Sequence, residues 1–208
     1  MFVIHQEEVK KVDSQPKDRR IRRTRKLLKQ SLAEWMQEKD FQNITVKDIA
    51  DRADLNRGTF YLHYTDPYDL LEKLENDTLE DFQAMIDAHR TQVRGGTLLP
   101  VLQPTIAYIQ ENSTICRCLF CNTASRSFLE KFQSLILRNG VAFLQERYPS
   151  VEHVDDPYLF SFISYGLVGL LQQWFQTHMA LPQSDLVVLA DDLITAAVVR
   201  AFGLPVEK

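Results

Sequence analysis

Three thiols crowd six residues, Cys116-Arg117-Cys118-Leu119-Phe120-Cys121. Thiols at that density could ligate a soft metal ion or react with oxidants. On a helix only Cys118 and Cys121 share a face, and Cys116 points elsewhere. No histidine lies within ten residues and no second cysteine pair exists. Packing as small apolar residues is therefore the favoured reading, with metal or redox sensing as the alternative. Arg117 is a cation that could lower a neighbouring thiol's pKa. His5, His89, His153 and His178 stand apart from one another, so no metal site is expected. No glycine-rich phosphate loop, nucleophile elbow or Cys–His pairing is present. We expect no catalytic residues, no cofactor and no enzyme.

A second concentration of chemistry is cationic. Lys17, Arg19, Arg20, Arg22, Arg23, Arg25, Lys26 and Lys29 fall within thirteen positions, against one acid, Asp18. Residues 1–65 hold 14 Lys+Arg and 10 Asp+Glu, a balance of +4, whereas residues 66–208 hold 10 and 18, a balance of −8. A basic end on an acidic body suits a polyanion at that end only; the alternative is a solvated, Arg-rich helix start.

The 208 residues are 45% hydrophobic and 25% charged, ordinary for a globular protein with a real core. No stretch approaches the roughly 18 uninterrupted apolar residues of a membrane span. The charged N-terminal residues Glu7, Glu8, Lys10 and Lys11 do not resemble a secretory signal, so a cytoplasmic location is expected. Few glycines and prolines argue for a mostly helical chain.

Residues 1–17 lack helical periodicity and read as a flexible arm. Ile21, Leu28, Leu32, Trp35 and Met36, with Thr24 and Ser31, then line one side of an amphipathic helix. Thr45 is a natural N-cap, with Asp48 closing a capping box. The short helix that follows puts Val46, Ile49, Ala50 and Ala53 on one face. Asn56 caps a second short helix, reaching about Tyr64, with Phe60 and Tyr64 on its inner side. Asp66-Pro67 starts a long helix. Two short helices joined by a tight turn and braced by a third make a helix-turn-helix, and the second would enter a DNA major groove. Further helices are predicted near 97–111, 113–121, 125–147, 156–179 and 184–202. The last two are apolar nearly all round and need cover on several sides, some of it from a second subunit. Asp155-Asp156 and Asp191-Asp192 read as caps or solvated charges. The fold class is all-α: a helix-turn-helix domain over 18–65 and a helical regulatory and dimerisation domain over 66–208.

The run from Ile44 to Leu71, ITVKDIADRADLNRGTFYLHYTDPYDLL, resembles the DNA-binding segment of the TetR family of transcriptional regulators. The Arg-rich helix before it and the long helix after it match that family's layout. Beyond the specific segment, about residues 19–71, the likeness rests on length and helix order. The stretch Phe162 to Leu171, followed by Trp174, is similar to the dimer-forming helix of a subgroup common in Gram-positive bacteria.

The resemblance implies roles. Thr45 and Lys47 would meet phosphate at the start of the first short helix. Asn56 would cap the recognition helix, and Gly58 would allow close backbone approach. Arg57 would reach guanine or phosphate, and Thr59 and Leu62 base edges. Tyr61 and His63 would bond phosphates, with Arg19, Arg20 and Arg22 reaching from the flank. Three positions depart from the pattern. Asp54 stands where a turn glycine is usual, and Thr65 and Pro67 where lysines commonly touch phosphate. The resemblance further implies a homodimer on a near-palindromic operator. Phe162, Leu167, Leu170, Leu171, Trp174, Leu193, Ile194 and Val198 would form its interface. An apolar effector pocket would include Phe82, Ile86, Tyr108, Phe128 and Tyr165. The alternative is a DNA-binding regulator or architectural protein controlled by a protein partner, or by cysteine redox or metal chemistry, rather than by a pocket ligand.

Overall fold

The computed structural model describes residues 16–93, 97–149 and 154–204. Among these residues the chain is all-α. Helix α1 spans Pro16–Glu38, α2 Val46–Arg52, α3 Arg57–Tyr61 and α4 Pro67–His89. They are followed by α5 Leu99–Glu111, α6 Ser113–Cys121, α7 Arg126–Arg147, α8 Pro157–Gln176 and α9 Gln183–Phe202. Residues 1–15 of the predicted arm lie outside the described residues. The first helix begins at Pro16, ahead of the expected start, because proline suits a first helical turn.

Helices α1, α2 and α3 are too short or too polar to stand alone and close around a shared core. Leu28, Leu32, Ala33 and Met36 of α1 are buried against Ile49 of α2, Phe60 of α3 and Leu70 of α4. Polar atoms within that core are satisfied. The Ser31 hydroxyl donates to the Ile49 carbonyl at 2.8 Å, and the Trp35 indole N–H donates to the Asp48 carbonyl at 2.9 Å. The outer face of Trp35 carries the Arg52 guanidinium, 3.6 Å from the ring centroid, with the Lys39 ammonium at 4.5 Å. The Arg52 guanidinium thus fixes α2 to α1 through the indole.

The core does not stop where the helix-turn-helix ends. One buried cluster runs from Leu28 of α1 to Val187 of α9. Helix α6 makes the join: its Cys118 sulfur lies 3.3 Å from the Met36 sulfur, and the Asn122 amide donates to the Met36 carbonyl at 3.0 Å. The Lys29–Asp77 ion pair ties α1 to α4. A movement of α4 or α6 therefore reaches the short helices through α1.

Helix α6 is central, so Cys116 and Cys118 are both buried, and only Cys121 at its end is exposed. The expected pairing of Cys118 with Cys121 is replaced by two inward thiols, because α1, α5, α7 and α8 surround α6. Burial pushes both buried thiols up to about 12. Desolvation also raises Cys121 and outweighs the lowering effect of Arg117. Arg117 is itself engaged, donating to the Phe175 carbonyl at 2.8 Å. Thiols held in the neutral form are poor nucleophiles and poor ligands. Among the described residues no group of three His, Cys, Asp or Glu could hold a metal ion.

Asp156 caps α8 as expected, accepting from the Tyr158 and Leu159 amides. Asp191 is neither a local cap nor a solvated charge. It is buried on α9 and accepts from the Thr97 hydroxyl at 2.8 Å and the Leu98 amide at 2.5 Å, capping α5 from across the bundle. That bond set locks α5 to α9 at one end. At α7, a Cβ on Gly140 would overlap the Phe160 ring of α8, so only glycine lets these helices approach.

Candidate nucleic-acid interface

The turn between α2 and α3 is built from local chemistry. The Thr45 hydroxyl accepts from the Asp48 amide at 3.2 Å, while the Asp48 carboxylate accepts from the Thr45 amide at 2.9 Å. That is the predicted capping box, complete. Lys39 donates to the same carboxylate at 2.8 Å. With the two Thr45 bonds, it holds the Asp48 carboxyl far below the usual range. Asp54 takes φ 54°, the left-handed conformation that its glycine-like position demands. The Leu55 amide donates to the Ala50 carbonyl at 2.9 Å and closes the turn over buried Ala53.

Asn56 then caps α3, its side-chain oxygen accepting from the Thr59 amide at 2.8 Å and the Thr59 hydroxyl at 3.0 Å. A Cβ on Gly58 would sit 3.2 Å from that same oxygen and meet nothing else within 4 Å, so the open side of Gly58 faces solvent rather than a neighbouring helix. Asn56→Ala should remove the cap at a cost of about 1 kcal/mol, lowering the Tm by about 2–4 °C in a thermal melt.

Phe60 and Tyr64 anchor α3 and its trailing turn in the core, both buried. Their burial turns the remaining positions outward. Arg57, Tyr61 and Leu62 are exposed, and His63 is half-buried. Arg57 has no hydrogen-bond or ion-pair partner among the described residues, so its guanidinium is uncommitted. Burial, with Arg25 adding to it, draws His63 below its usual value, which favours the neutral ring with one N–H to donate. Arg19, Arg20 and Arg22 are exposed along the start of α1.

Two expected contacts change character. The Thr45 hydroxyl also donates to Asp48 at 2.8 Å, so its proton is spent on the capping box. A phosphate there would find the Val46 and Lys47 amides of the first turn and the exposed Lys47 ammonium. Thr59 is half-buried with its hydroxyl proton on Asn56, which leaves its oxygen as an acceptor only. Neither commitment is visible from spacing alone. Both follow from which rotamer the cap requires.

The residues expected elsewhere fall in several places. Beside the open groove of about 340 Å³ between α8 and α9, two apolar cavities lie within the body among the described residues. The larger, about 160 Å³, sits among the distal halves of α4, α5, α7, α8 and α9; the second, about 80 Å³, lies nearer α6. Ile86 borders both cavities and Phe82 the second. Phe128 is wholly buried, stacked on Phe132 and edge-on to Phe120, and borders neither. Tyr108 packs edge-on to Phe82, donates to Asp81 at 2.7 Å and also borders neither. Tyr165 is 65% exposed on the outside of α8. Residues not anticipated, including Leu102, Ile136, Phe143 and Leu167, form the walls. A void depends on what neighbouring helices leave unfilled, which no single-helix pattern reports.

The terminal helices divide similarly. Phe162 and Leu193 are 68% and 52% exposed, with Leu170 and Leu167 half-buried along the groove between α8 and α9. Val198 is half-buried and Ile194 buried, and both border the larger cavity. Leu171 and Trp174, expected at a subunit interface, point into the subunit's own core; the Trp174 indole donates to the Leu181 carbonyl at 2.8 Å. Both faces of α8 are apolar, so periodicity could not separate the inner from the outer.

A capped recognition helix with an uncommitted arginine, held on a three-helix core, defines a helix-turn-helix DNA-binding protein. The chain is matched over residues 31–74 by the family model for bacterial regulatory proteins of the tetR family. It is matched over 96–196 by the model for a transcriptional regulator C-terminal region of the same family. The chain belongs to the TetR family and is a DNA-binding transcriptional regulator. A curated relative, the uncharacterized HTH-type transcriptional regulator YxbF of Bacillus subtilis, is 28% identical over 117 residues, which cover 55% of this chain and 30% of YxbF. The chain thus spans under a third of that relative's length. A solved TetR transcriptional regulator from Streptococcus agalactiae is 26% identical, with a TM-score of 0.57 over 86% of this chain and 97% of that one. The SmeT–triclosan complex shares the fold at 17% identity and a TM-score of 0.58, covering 84% and 90%. Regulators of this family bind DNA and function as dimers. Among the described residues no helix is long and apolar enough to cross a membrane.

Proposed function

We propose that the protein is a cytoplasmic, homodimeric repressor that reads a near-palindromic operator and leaves it when a small apolar or amphipathic ligand enters the body. The observation that carries the DNA reading is the recognition helix itself. Phe60 and Tyr64 hold it from behind, while Arg57, Tyr61 and Leu62 stand free in front. Arg57 serves as the base or phosphate contact, with Tyr61, His63 and Lys47 fixing register on the backbone. Thr65 and Pro67 supply no cation where family members commonly have one, so the salt dependence of binding is shallow and leans on the α1 arginines.

Dimerisation is supported by the exposed apolar face of α8 and α9, on which Phe162, Tyr165, Val188 and Leu193 are all more than half exposed. A contiguous apolar face of this kind seeks a partner, and a two-fold copy of the same face provides one. Ligand control is supported by the two cavities and by the SmeT relative's complex with triclosan. A ligand that prefers one setting of α4 would shift the helix-turn-helix through the core they share. The raised thiol pKa values weigh against control by cysteine chemistry.

A nuclease footprint on DNA from upstream of the gene tests this reading. Two protected half-sites, centred about one helical turn apart, are expected. A single protected half-site, or uniform protection, would argue against a symmetric reader.

A further inference from the structure

The two cavities lie end to end, and every helix around them shows the same order. On α4, Phe82 borders the inner cavity, Ile86 both, and Arg90, just past the helix, the outer one. On α7 the sequence is Leu135, Ile136, Asn139; on α8 it is Leu171, Leu167, Ile163. Helix α9 runs from Leu186 at the inner cavity to Val199 at the outer. Only the side chains that border both cavities, such as Leu102 and Leu167, separate them. Thirteen positions on α9 at about 1.5 Å each give a path of roughly 20 Å, long and narrow rather than round.

The walls are almost wholly apolar; apart from Thr105 at the inner cavity, whose hydroxyl donates to the Val101 carbonyl at 2.8 Å, the polar side chains border the outer one. Asn139 is committed there, bonded to Gln83 and to the Leu135 carbonyl. Among the described residues Arg90 is the one cation on the walls of the two cavities. Its pair with Glu146 is side-on, through Nε at 3.1 Å and Nη2 at 2.8 Å, which leaves the two donors of Nη1 for another acceptor. Its side chain is partly exposed and that of Glu146 largely so, which marks this end as the one open to water.

We propose that the two cavities form one site for a linear amphiphile, a single alkyl chain ending in a carboxylate, with the carboxylate on Arg90 and the chain reaching toward Leu186. The proposal rests on the reading that the body is a ligand site and names the ligand's chemical class. Carbon–carbon bonds of about 1.5 Å advance roughly 1.25 Å per atom along an extended chain, so the path takes about twelve to sixteen carbons. Ile86, Val101, Leu102, Ile136 and Leu167 border both cavities; the β-branched three are stiff, and the two leucines are the side chains that can turn aside for such a chain.

The test is titration calorimetry of the full chain with sodium octanoate, decanoate, dodecanoate and tetradecanoate below their micelle concentrations. Affinity should rise about threefold to fourfold per added methylene until the inner cavity is filled. Thr105→Leu, which narrows the inner cavity, should end that rise two to four carbons earlier and leave octanoate binding unchanged. Ala190→Leu narrows the same cavity and serves if the first variant fails to fold. Arg90→Gln should weaken dodecanoate about tenfold and leave dodecanol unchanged. A flat dependence on chain length, or dodecanol or dodecylamine binding as tightly as dodecanoate, would overturn the proposal. Parallel DNA-binding assays separate the two readings. If dodecanoate binds as described but leaves DNA affinity unchanged, the site stands and ligand control fails. If another small molecule releases DNA and no carboxylate binds, ligand control stands and this site assignment fails.

Discussion

Arg57→Ala is expected to weaken specific DNA binding about 5- to 150-fold, equivalent to about 1–3 kcal/mol, while the protein stays folded. The guanidinium is exposed and has no partner among the described residues, so its removal unpairs nothing within the chain. Tyr61→Ala removes an exposed ring whose one aromatic neighbour is Phe60, at a centroid separation of 5.6 Å. Its loss should lower affinity for operator and unrelated DNA alike, because a phosphate contact carries no sequence information. Arg57→Ala should instead narrow the gap between operator and unrelated DNA if the arginine reads a base. Electrophoretic mobility shifts with both DNAs measure the two effects. If both variants bound like the parent, α3 would not be the reading helix.

Breaking the outer face of α8 and α9 should have the second large effect. Phe162→Asp combined with Leu193→Asp places two charges on side chains that are exposed in the single chain. The subunit should keep its helices, since neither residue belongs to its core. In a dimer the same positions are desolvated, and two unpaired carboxylates per subunit there would not be tolerated. Sedimentation should show a monomer. Operator affinity should fall about 100-fold or more, because two linked half-sites gain that much from effective concentration. A variant that remained dimeric would place the interface elsewhere. Trp174→Asp makes an instructive contrast: Trp174 is buried in the subunit, so this change should unfold the chain rather than divide a dimer.

Those two residues also show where sequence is informative and where it is not. The caps at Thr45, Asn56 and Asp66 were legible because each is a contract among residues three apart, and all three bonds are present. The limits of the later helices were legible from the prolines, glycines and apolar periodicity that divide the chain, although α5, α6, α7 and α9 start without a side-chain cap. The choice between Phe162 and Trp174 was not. Both sit on a helix that is apolar on two faces, and only the packing of α7 and α9 decides which face turns inward. The role of Asp191, read from sequence as a local cap or solvated charge, was not legible because its partners, Thr97 and the Leu98 amide, are more than ninety positions away. The stacking of Arg52 on Trp35 is likewise a tertiary contact with no local signature. The cavity walls were the least legible part. Gly140 lies on them because its missing side chain makes room for Phe160, and a pattern of apolar residues cannot show a space. Residues chosen for their aromatic bulk, such as Phe128, turned out to fill space rather than border it.

The central claim is sequence-specific DNA binding by the α2–α3 unit. Fluorescence anisotropy of the purified protein tests it most directly, using DNA from upstream of the gene and a scrambled control at several salt concentrations. The account predicts binding to the upstream DNA about 1,000-fold or more tighter than to the control, with a shallow salt dependence of the control binding. Equal and steeply salt-dependent binding to both DNAs would contradict it, leaving only a basic surface with no preferred sequence.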